Sequence, residues 1–358
     1  MKDIKKDEIK MPKTKKQKLK LKHKKLFIVV GVLAIVLICL FAFTGNKKED
    51  NKKPIINKPV KESKIKIVNP NSTSRPFAVM INNVGVARPL QSGLQDAYIM
   101  YEMIVEGGIT RYLALFMDAN TERIGSIRSA RHYYLDYALE NDAIYVHHGQ
   151  SPQAQSDFSS LGVDRIVVDN SKTGWRDKTL GVASEHTLFT SIEKLNNGIG
   201  NKRTVRNKDL LLKYSTDEID LNKEGNLVAN TVIIPYSSYS TTSYKYNSDE
   251  KVYYRFVNDK EHTDYVTKKQ YTFKNIITYK VSNYTLDDGE GKGRQGINNI
   301  GSGEGYYITD GYAEKINWKK DCRECQTKYT YLDGSDIVVN DGNTFIQIQP
   351  SNQELTIE

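Results

Sequence analysis

Two apolar runs, Tyr98–Val105 and Ile109–Met117, flank Glu106 and the pair Gly107-Gly108, and this stretch restricts the fold more than any other. A Gly-Gly pair adopts positive φ at little steric cost, so the runs read as two strands of a hairpin closed by a two-residue turn. Such a turn fixes a register, with Glu106 opposite Ile109, Ile104 opposite Arg111 and Glu102 opposite Leu113, all on one face. Arg111 then lies diagonally between Glu102 and Glu106. Diagonal neighbours are roughly 7–8 Å apart, within reach of long side chains, so the register predicts a cluster of two carboxylates around one guanidinium. The first strand is otherwise apolar on both faces, which places it centrally in a sheet.

The segment Ile124-Gly125-Ser126-Ile127-Arg128-Ser129-Ala130-Arg131 reads as the opening of a helix that runs to about Asn141, with Ser126 as N-cap and Tyr134, Leu135 and Ala138 in its apolar stripe. Arg128 and Arg131 would then share a face near free backbone amides and the positive end of the helix dipole. Arg111, Ser126, Arg128, Ser129 and Arg131 are therefore the anion-binding candidates, suited to phosphate, pyrophosphate or carboxylate, with Glu102 and Glu106 as the carboxylate cluster beside them. The competing reading is a core network in which these charges neutralise one another.

Charge is distributed unevenly along the chain. Residues 1–25 contain 12 Lys and three acidic residues, a net +9 that equals the charge of the whole chain, so the remainder carries 40 basic and 40 acidic residues. The basic pI thus belongs to the tail, and it gives no support to nucleic-acid binding by the folded part. Leu26–Phe43 is an uncharged run of 18 residues, long enough for a single N-terminal transmembrane helix, and the lysines before it put the N-terminus in the cytoplasm and the bulk of the chain outside. No small-x-small cleavage site follows, and Ile38 stands before Cys39 where a lipobox needs a small residue. The reading is an uncleaved single-pass anchor in the cell membrane. Residues 44–73, rich in Lys, Asn and Pro, form a linker on the outer face.

The remaining chain, about 285 residues, is enough for two domains. Residues 74–215 mix strands (Phe77–Ile81, Ala143–Val146, Ile166–Val168) with helices (one opened by Ser151-Pro152, then Leu188–Leu195 and Asp209–Tyr214), so the class is α+β with a mixed sheet. Residues 230–358 are short alternating Tyr/Thr/Val/Ile runs broken by Gly, Asn and Asp, a β-rich second domain whose tyrosines either cover the sheet or form an aromatic ligand platform. Four histidines, His132, His147, His148 and His186, fall in the first domain. His147 and His148 are adjacent on a strand end and point to opposite faces, and no ligand motif accompanies them, so no metal site is expected. Asp96, His147, Asp177 and His186 are pocket candidates, the last two on a Gly-, Ser- and Thr-rich loop able to fold over the arginines. Cys322 and Cys325 cannot complete a zinc site alone, and outside the membrane they read as a small disulfide across a hairpin loop.

Several of these runs carry a resemblance. Arg75-Pro76-Phe77-Ala78-Val79-Met80-Ile81-Asn82-Asn83, Val105-Glu106-Gly107-Gly108-Ile109-Thr110-Arg111, the Ile124–Arg131 run and His147-His148-Gly149-Gln150-Ser151-Pro152 closely resemble the YerB-like family of bacterial envelope proteins. The likeness continues through Tyr254-Arg255-Phe256, His262-Thr263-Asp264, Gly301-Ser302-Gly303-Glu304-Gly305-Tyr306 and Thr344-Phe345-Ile346-Gln347, over residues 74 to 350. It implies a layered β/β/α first domain, a β-rich second domain and attachment to the outer face of a bacterial membrane. It names no established reaction, and the cofactor is left unknown. Two departures stand out: family members are often lipoproteins, whereas this chain reads as helix-anchored, and where relatives tend to have Pro-His-Asn this chain has Ser184-Glu185-His186-Thr187.

Three functional classes follow. The first is an envelope protein that binds an anionic wall or lipid-linked ligand or a protein partner. The second is a phosphotransferase or hydrolase acting on polyprenyl-phosphate-linked or wall-polymer substrates, a loose likeness to the LytR-CpsA-Psr phosphotransferases resting on Asp96 and Ser126–Arg131. In that reading Arg111, Arg128 and Arg131 neutralise phosphate while Glu102 or Glu106 holds a divalent metal or acts as base. The third is a structural scaffold. A binder or enzyme leaves at least two of the three arginines accessible in one concave pocket; a scaffold pairs all three with carboxylates and buries them.

Overall fold

The computed structural model describes residues 67–358; the basic tail, the apolar run Leu26–Phe43 and most of the linker lie outside the described residues. Among the described residues no helix is long and apolar enough to cross a membrane. Strands β1 (Phe77–Asn82), β2 (Ile99–Ile104) and β3 (Thr110–Phe116) are buried along their whole lengths. Runs without polar alternation suit strands covered on both faces. The three lie inside an eleven-stranded mixed sheet. β3 pairs antiparallel with both β1 and β2, and β1 pairs in parallel with Ile144–His147. On its other side β2 runs parallel to Thr344–Pro350, which runs parallel to Asn275–Val281. Gly301–Thr309 and Tyr312–Lys320 continue that flank, and both Leu227–Val228 and Lys328–Tyr331 pair with Tyr312–Lys320. A single sheet is thus built from both halves of the chain.

Each face of this sheet is covered by a different layer. On one face lies a six-stranded antiparallel sheet that includes Thr231–Ser237, Ser240–Asn247 and Val252–Val257. Tyr236 from that layer donates its hydroxyl to Gln347 Oε1 at 2.7 Å, and Gln347 Nε2 donates to Tyr244 Oη at 2.8 Å. On the other face lies the helix His132–Glu140, whose Tyr134 hydroxyl reaches the carbonyls of Met103 and Arg111 at 3.0 and 2.7 Å. Glu140 at the end of this helix is fully buried and accepts from Tyr101 Oη (2.7 Å), Lys320 Nζ (2.8 Å) and Thr327 Oγ1 (2.7 Å). The order is β/β/α. Cys322 and Cys325 form a disulfide in the loop between Tyr312–Lys320 and Lys328–Tyr331. Arg323, inside that loop, bridges Asp136 (2.7 Å) and Asp157 (2.8 Å) on two helices of the first half.

The hairpin register differs from the expected one by a residue. Ile104 faces Thr110, Met103 faces Arg111 and Glu102 faces Tyr112, because Glu106, Gly107 and Gly108 together make a three-residue turn with both glycines at φ 70°. One residue of slip sends every side chain of one strand to the opposite face. Glu102 and Arg111 therefore lie on opposite sides of the sheet, and the cluster uniting Glu102 with Glu106 around Arg111 does not exist. Glu102 instead meets Arg255, at 2.7 Å with both side chains fully buried.

Three helical expectations are also corrected. Ser126 is not an N-cap: Ile124–Ala130 is extended, and its backbone is satisfied sideways by Asn82 N to Ser126 O (2.9 Å), Ile127 N to Leu188 O (2.8 Å) and Arg128 N to Met80 O (2.9 Å). The helix starts at His132 after Arg131. Leu188–Thr190 is a strand against Ile124–Gly125, and the helix begins at Ile192, capped by Ser191 Oγ accepting from Lys194 N at 3.2 Å. Asp209–Tyr214 is not helical; Lys213–Tyr214 pairs with Val338–Val339. In all three, pairing with a distant strand overrides local periodicity.

The Glu102-Arg255 pair makes a sharp prediction. Arg255→Leu strands a carboxylate in a dry layer and should cost about 3–5 kcal/mol in chemical denaturation, whereas Arg255→Leu combined with Glu102→Met should regain most of that loss. A double variant as unstable as the single one would contradict it.

Candidate functional site

Arg111 leaves β3 on the helical side, Arg131 precedes the helix, and both converge on Glu106 in the hairpin turn. Arg111 Nη2 lies 3.0 Å from Glu106 Oε1, Arg131 Nε lies 2.9 Å from Oε2, and Arg131 Nη2 also contacts Oε1. Two further guanidinium nitrogens donate to backbone, Arg111 Nη1 to Ser129 O at 2.6 Å and Arg131 Nη1 to Ala130 O at 2.7 Å. Burial raises the Glu106 pKa, but the Arg131 hydrogen bond and the charges of Arg111 and Arg131 outweigh it and hold the carboxyl down at about 2. Arg111 is brought down to about 10 by burial and by the neighbouring Arg131 charge. Arg128 points elsewhere, to Glu185 Oε2 at 3.0 Å, and its side chain is 23% exposed. Ser126 Oγ and Arg128 Nε are buried without a hydrogen-bond partner. Ser129 lends its carbonyl to Arg111 and packs its hydroxyl against Gly149. The five anion-binding candidates do not converge on one open pocket. All three arginines are paired with carboxylates, and two of them are buried.

The pocket candidates are also separated. His147 is buried, its Nδ1 bonded to Gly149 O at 2.8 Å and its ring stacked on Phe158, and burial lowers its pKa to about 4. His186 Nδ1 accepts from Asn82 Nδ2 at 2.9 Å, and its Nε2 faces Glu185 Oε1 at 3.3 Å; burial holds its pKa below the ordinary imidazole value. The loop does reach Arg128, but through Glu185. Asp177 pairs with Arg123 at 3.0 Å. Asp96 accepts from Thr121 Oγ1 at 2.7 Å. Among the described residues no group of three or more His, Cys, Asp and Glu is placed to hold a metal ion.

Sequence reasoning missed the polar chain that starts at Arg255. Its Nη2 donates to Glu102 Oε2 (2.7 Å) and Thr242 Oγ1 (2.9 Å), and its Nη1 to His262 Nδ1 (2.6 Å). His262 Nε2 passes on to Gln91 Oε1, and Gln91 Nε2 to Asn82 O at 2.5 Å. Burial and the Arg255 charge hold His262 far below its ordinary pKa, so the neutral imidazole is the form present. A signal for it was available. In the alternating strand Val252–Val257 the inward positions are Tyr253, Arg255 and Val257, and a charge at an inward position requires a partner.

Asp96 and Arg123 belong to a different feature, a cleft of about 1060 Å³ walled by residues 93–96 and 120–123 from the first half and 250–272 from the second. Asp264 joins the walls: Oδ2 accepts from Gly93 N (2.7 Å) and Tyr271 Oη (2.9 Å), and Oδ1 from the amides of Val266 and Thr267 (both 2.8 Å). Gln95 pairs with the backbone of Thr272 as a strand would, at 2.9 and 3.0 Å. Gly93, at φ 76°, approaches so closely that a Cβ would lie 2.4 Å from Arg123 O. The Arg123 guanidinium stacks 3.6 Å over Phe189. The walls are thereby fixed, and Asn120, Glu122 and Lys269 project from them without a side-chain bond to another described residue.

The comparisons with known proteins agree on one relationship. Residues 65–206 match the N-terminal domain, and residues 231–346 the C-terminal domain, of a protein of unknown function, DUF3048. The chain is 31% identical over 254 residues to the putative lipoprotein YerB of Bacillus subtilis (strain 168), covering 69% of this chain and 73% of that protein. It superposes on the crystal structure of the YerB protein from Bacillus subtilis with a TM-score of 0.69 and 28% identity, over 80% of this chain and 94% of the other.

The arrangement around Glu106 predicts a pH dependence. Its carboxyl is depressed in the folded state, so the stability it contributes is present above the unfolded value near 4.5 and is lost as pH falls from there through about 2. Glu106→Gln should flatten the fall in melting temperature across that window and destabilise the protein at neutral pH by about 3 kcal/mol, since it leaves two buried guanidiniums uncompensated.

Proposed function

The chain belongs to the DUF3048 family, and we propose that it is a non-catalytic binding protein of the bacterial cell envelope whose ligand enters the cleft between the two halves. The cleft carries this reading. At about 1060 Å³ it is at the upper end of the size range of ligand sites, its walls come from distant segments, and hydrogen bonds through Asp264 and Gln95 hold them in place before any ligand arrives. An envelope location is supported by the name of the YerB relative, a putative lipoprotein, and by the uncharged run Leu26–Phe43. The ligand classes that fit this location and a cleft lined by Asp96, Glu122, Glu250 and Asp264 are a wall component or an envelope protein.

Transfer or hydrolysis of a phosphate-linked substrate has less support. That chemistry needs guanidiniums open to the phosphate, and Arg111 and Arg131 are closed by Glu106. Ser126 Oγ is buried and offers no accessible nucleophile. The charge network on the helical side fits the scaffold role, which a binding protein also needs to keep its cleft rigid.

Thermal unfolding of the full chain in detergent, with wall digests added, tests the reading. A ligand that binds only the folded state raises the melting temperature by several degrees at saturation. Asn120→Trp, an exposed substitution that projects an indole into the cleft, should remove the shift while leaving the unliganded melting temperature unchanged. A shift that survives Asn120→Trp but disappears with Arg128→Ala would move the site to the Arg128-Glu185 pair and reject the cleft.

A further inference from the structure

One row of side chains across the large sheet is only partly covered. Gln347, Thr278, Tyr306 and Lys315 stand opposite one another on four neighbouring strands, so they leave the sheet on the same face. Gln347 is met there by Tyr236 and Tyr244 of the six-stranded sheet. Thr278, the next in the row, finds no such partner. It is wholly withdrawn from bulk water, yet its Oγ1 has no hydrogen-bond partner. A buried hydroxyl in that state lowers stability, and a valine of the same shape would serve the packing better.

Thr278 lines a cavity of about 190 Å³. The half-buried Tyr306 and Leu355, from the returning end of the chain, supply its apolar walls. Lys280 lies two residues beyond Thr278 and Glu304 two residues before Tyr306, so with Lys315 they border the cavity on that same face. All three charged side chains are exposed, and none bonds to another described residue. Two ammonium groups against one carboxylate leave a surplus of one positive charge, which a single carboxylate on a ligand balances. The volume is below the roughly 300 Å³ at which sites for whole small molecules begin, so the cavity suits the tip of a longer ligand. Thr278 offers a hydroxyl donor to a carboxylate oxygen, Tyr306 and Leu355 an apolar contact for a short aliphatic group, and Glu304 an acceptor for an N–H. Those three features occur together at the carboxyl end of a peptide.

We propose that this cavity is a second binding site, separate from the cleft, for the terminal residue of a peptide with a free α-carboxylate. The carboxylate meets the Thr278 hydroxyl and the ammonium groups of Lys280 and Lys315, the terminal side chain lies on Tyr306 and Leu355, and the rest of the peptide leaves past Glu304 into solvent.

Fluorescence polarisation of an N-terminally labelled trialanine with the full chain in detergent, beside the same peptide amidated at its C-terminus, tests this. The acid should bind at least tenfold more tightly than the amide, and more weakly as salt rises. Lys280→Gln/Lys315→Gln, at two exposed positions, should remove that preference. Thr278→Val separates binding from folding. It should weaken binding of the acid about tenfold while leaving the melting temperature equal to or above that of the parent, because the hydroxyl it removes is unbonded without ligand. No binding of the acid, equal binding of acid and amide, or a preference that survives the lysine substitutions would overturn the proposal. So would a lowered melting temperature in Thr278→Val, which would show a hydroxyl already bonded within the fold. Asn120→Trp should leave this binding unchanged, and its loss in that variant would move the peptide to the cleft and reject the second site.

Discussion

The contact between Glu102 and Arg255 decides how the layers meet. Both side chains are wholly withdrawn from water, one on the central strand of the large sheet and the other on an inward position of the second sheet. Neither charge is tolerable alone, so each strand can be placed only where the other supplies its partner. Thr110 and Thr242 fill further acceptor positions of the carboxylate at 2.7 and 3.0 Å, and the guanidinium lies 4.9 Å from the rings of Tyr112 and Phe345. The alternative hairpin register would bring Arg111 to this face in place of Tyr112, setting two guanidiniums side by side in a dry layer. The three-residue turn avoids that.

The same slip creates the opposite face. Arg111 emerges toward the helix, where Glu106 already lies within reach of Arg131, and one carboxylate serves two arginines. Lys320 with Glu140, and Arg323 with Asp136 and Asp157, repeat the arrangement further along and fasten the last third of the chain to helices of the first half. Charged residues in this protein mostly act as fasteners between segments remote in sequence. The acidic cleft is the exception. Asp96, Glu250 and Asp264 there are held by hydroxyls and amides, which fix their positions without cancelling their charge.

Much of the architecture was legible in the chain. The apolar runs gave the central strands, the alternation after residue 230 gave the β-rich half, and Ser151-Pro152 marked a helix start that the structure places at Pro152. The legible features are those in which a residue's neighbours in sequence are also its neighbours in space. Arginine spacing misled because Arg128 and Arg131 lie on extended backbone, where three residues apart does not mean the same side.

What the sequence alone determined was therefore local: which segments are buried on both faces, where turns interrupt them, and which charges would need partners. The tertiary structure decided which partners they found. Gly107-Gly108 supports either a two- or a three-residue turn at similar local cost, and only the burial of Arg255, 153 residues from Glu102, distinguishes them. The cleft is subject to the same limit. Asp96 and Asp264 are ordinary loop carboxylates until the folding of two halves brings their segments together, because the field they make depends on distances that no local pattern encodes.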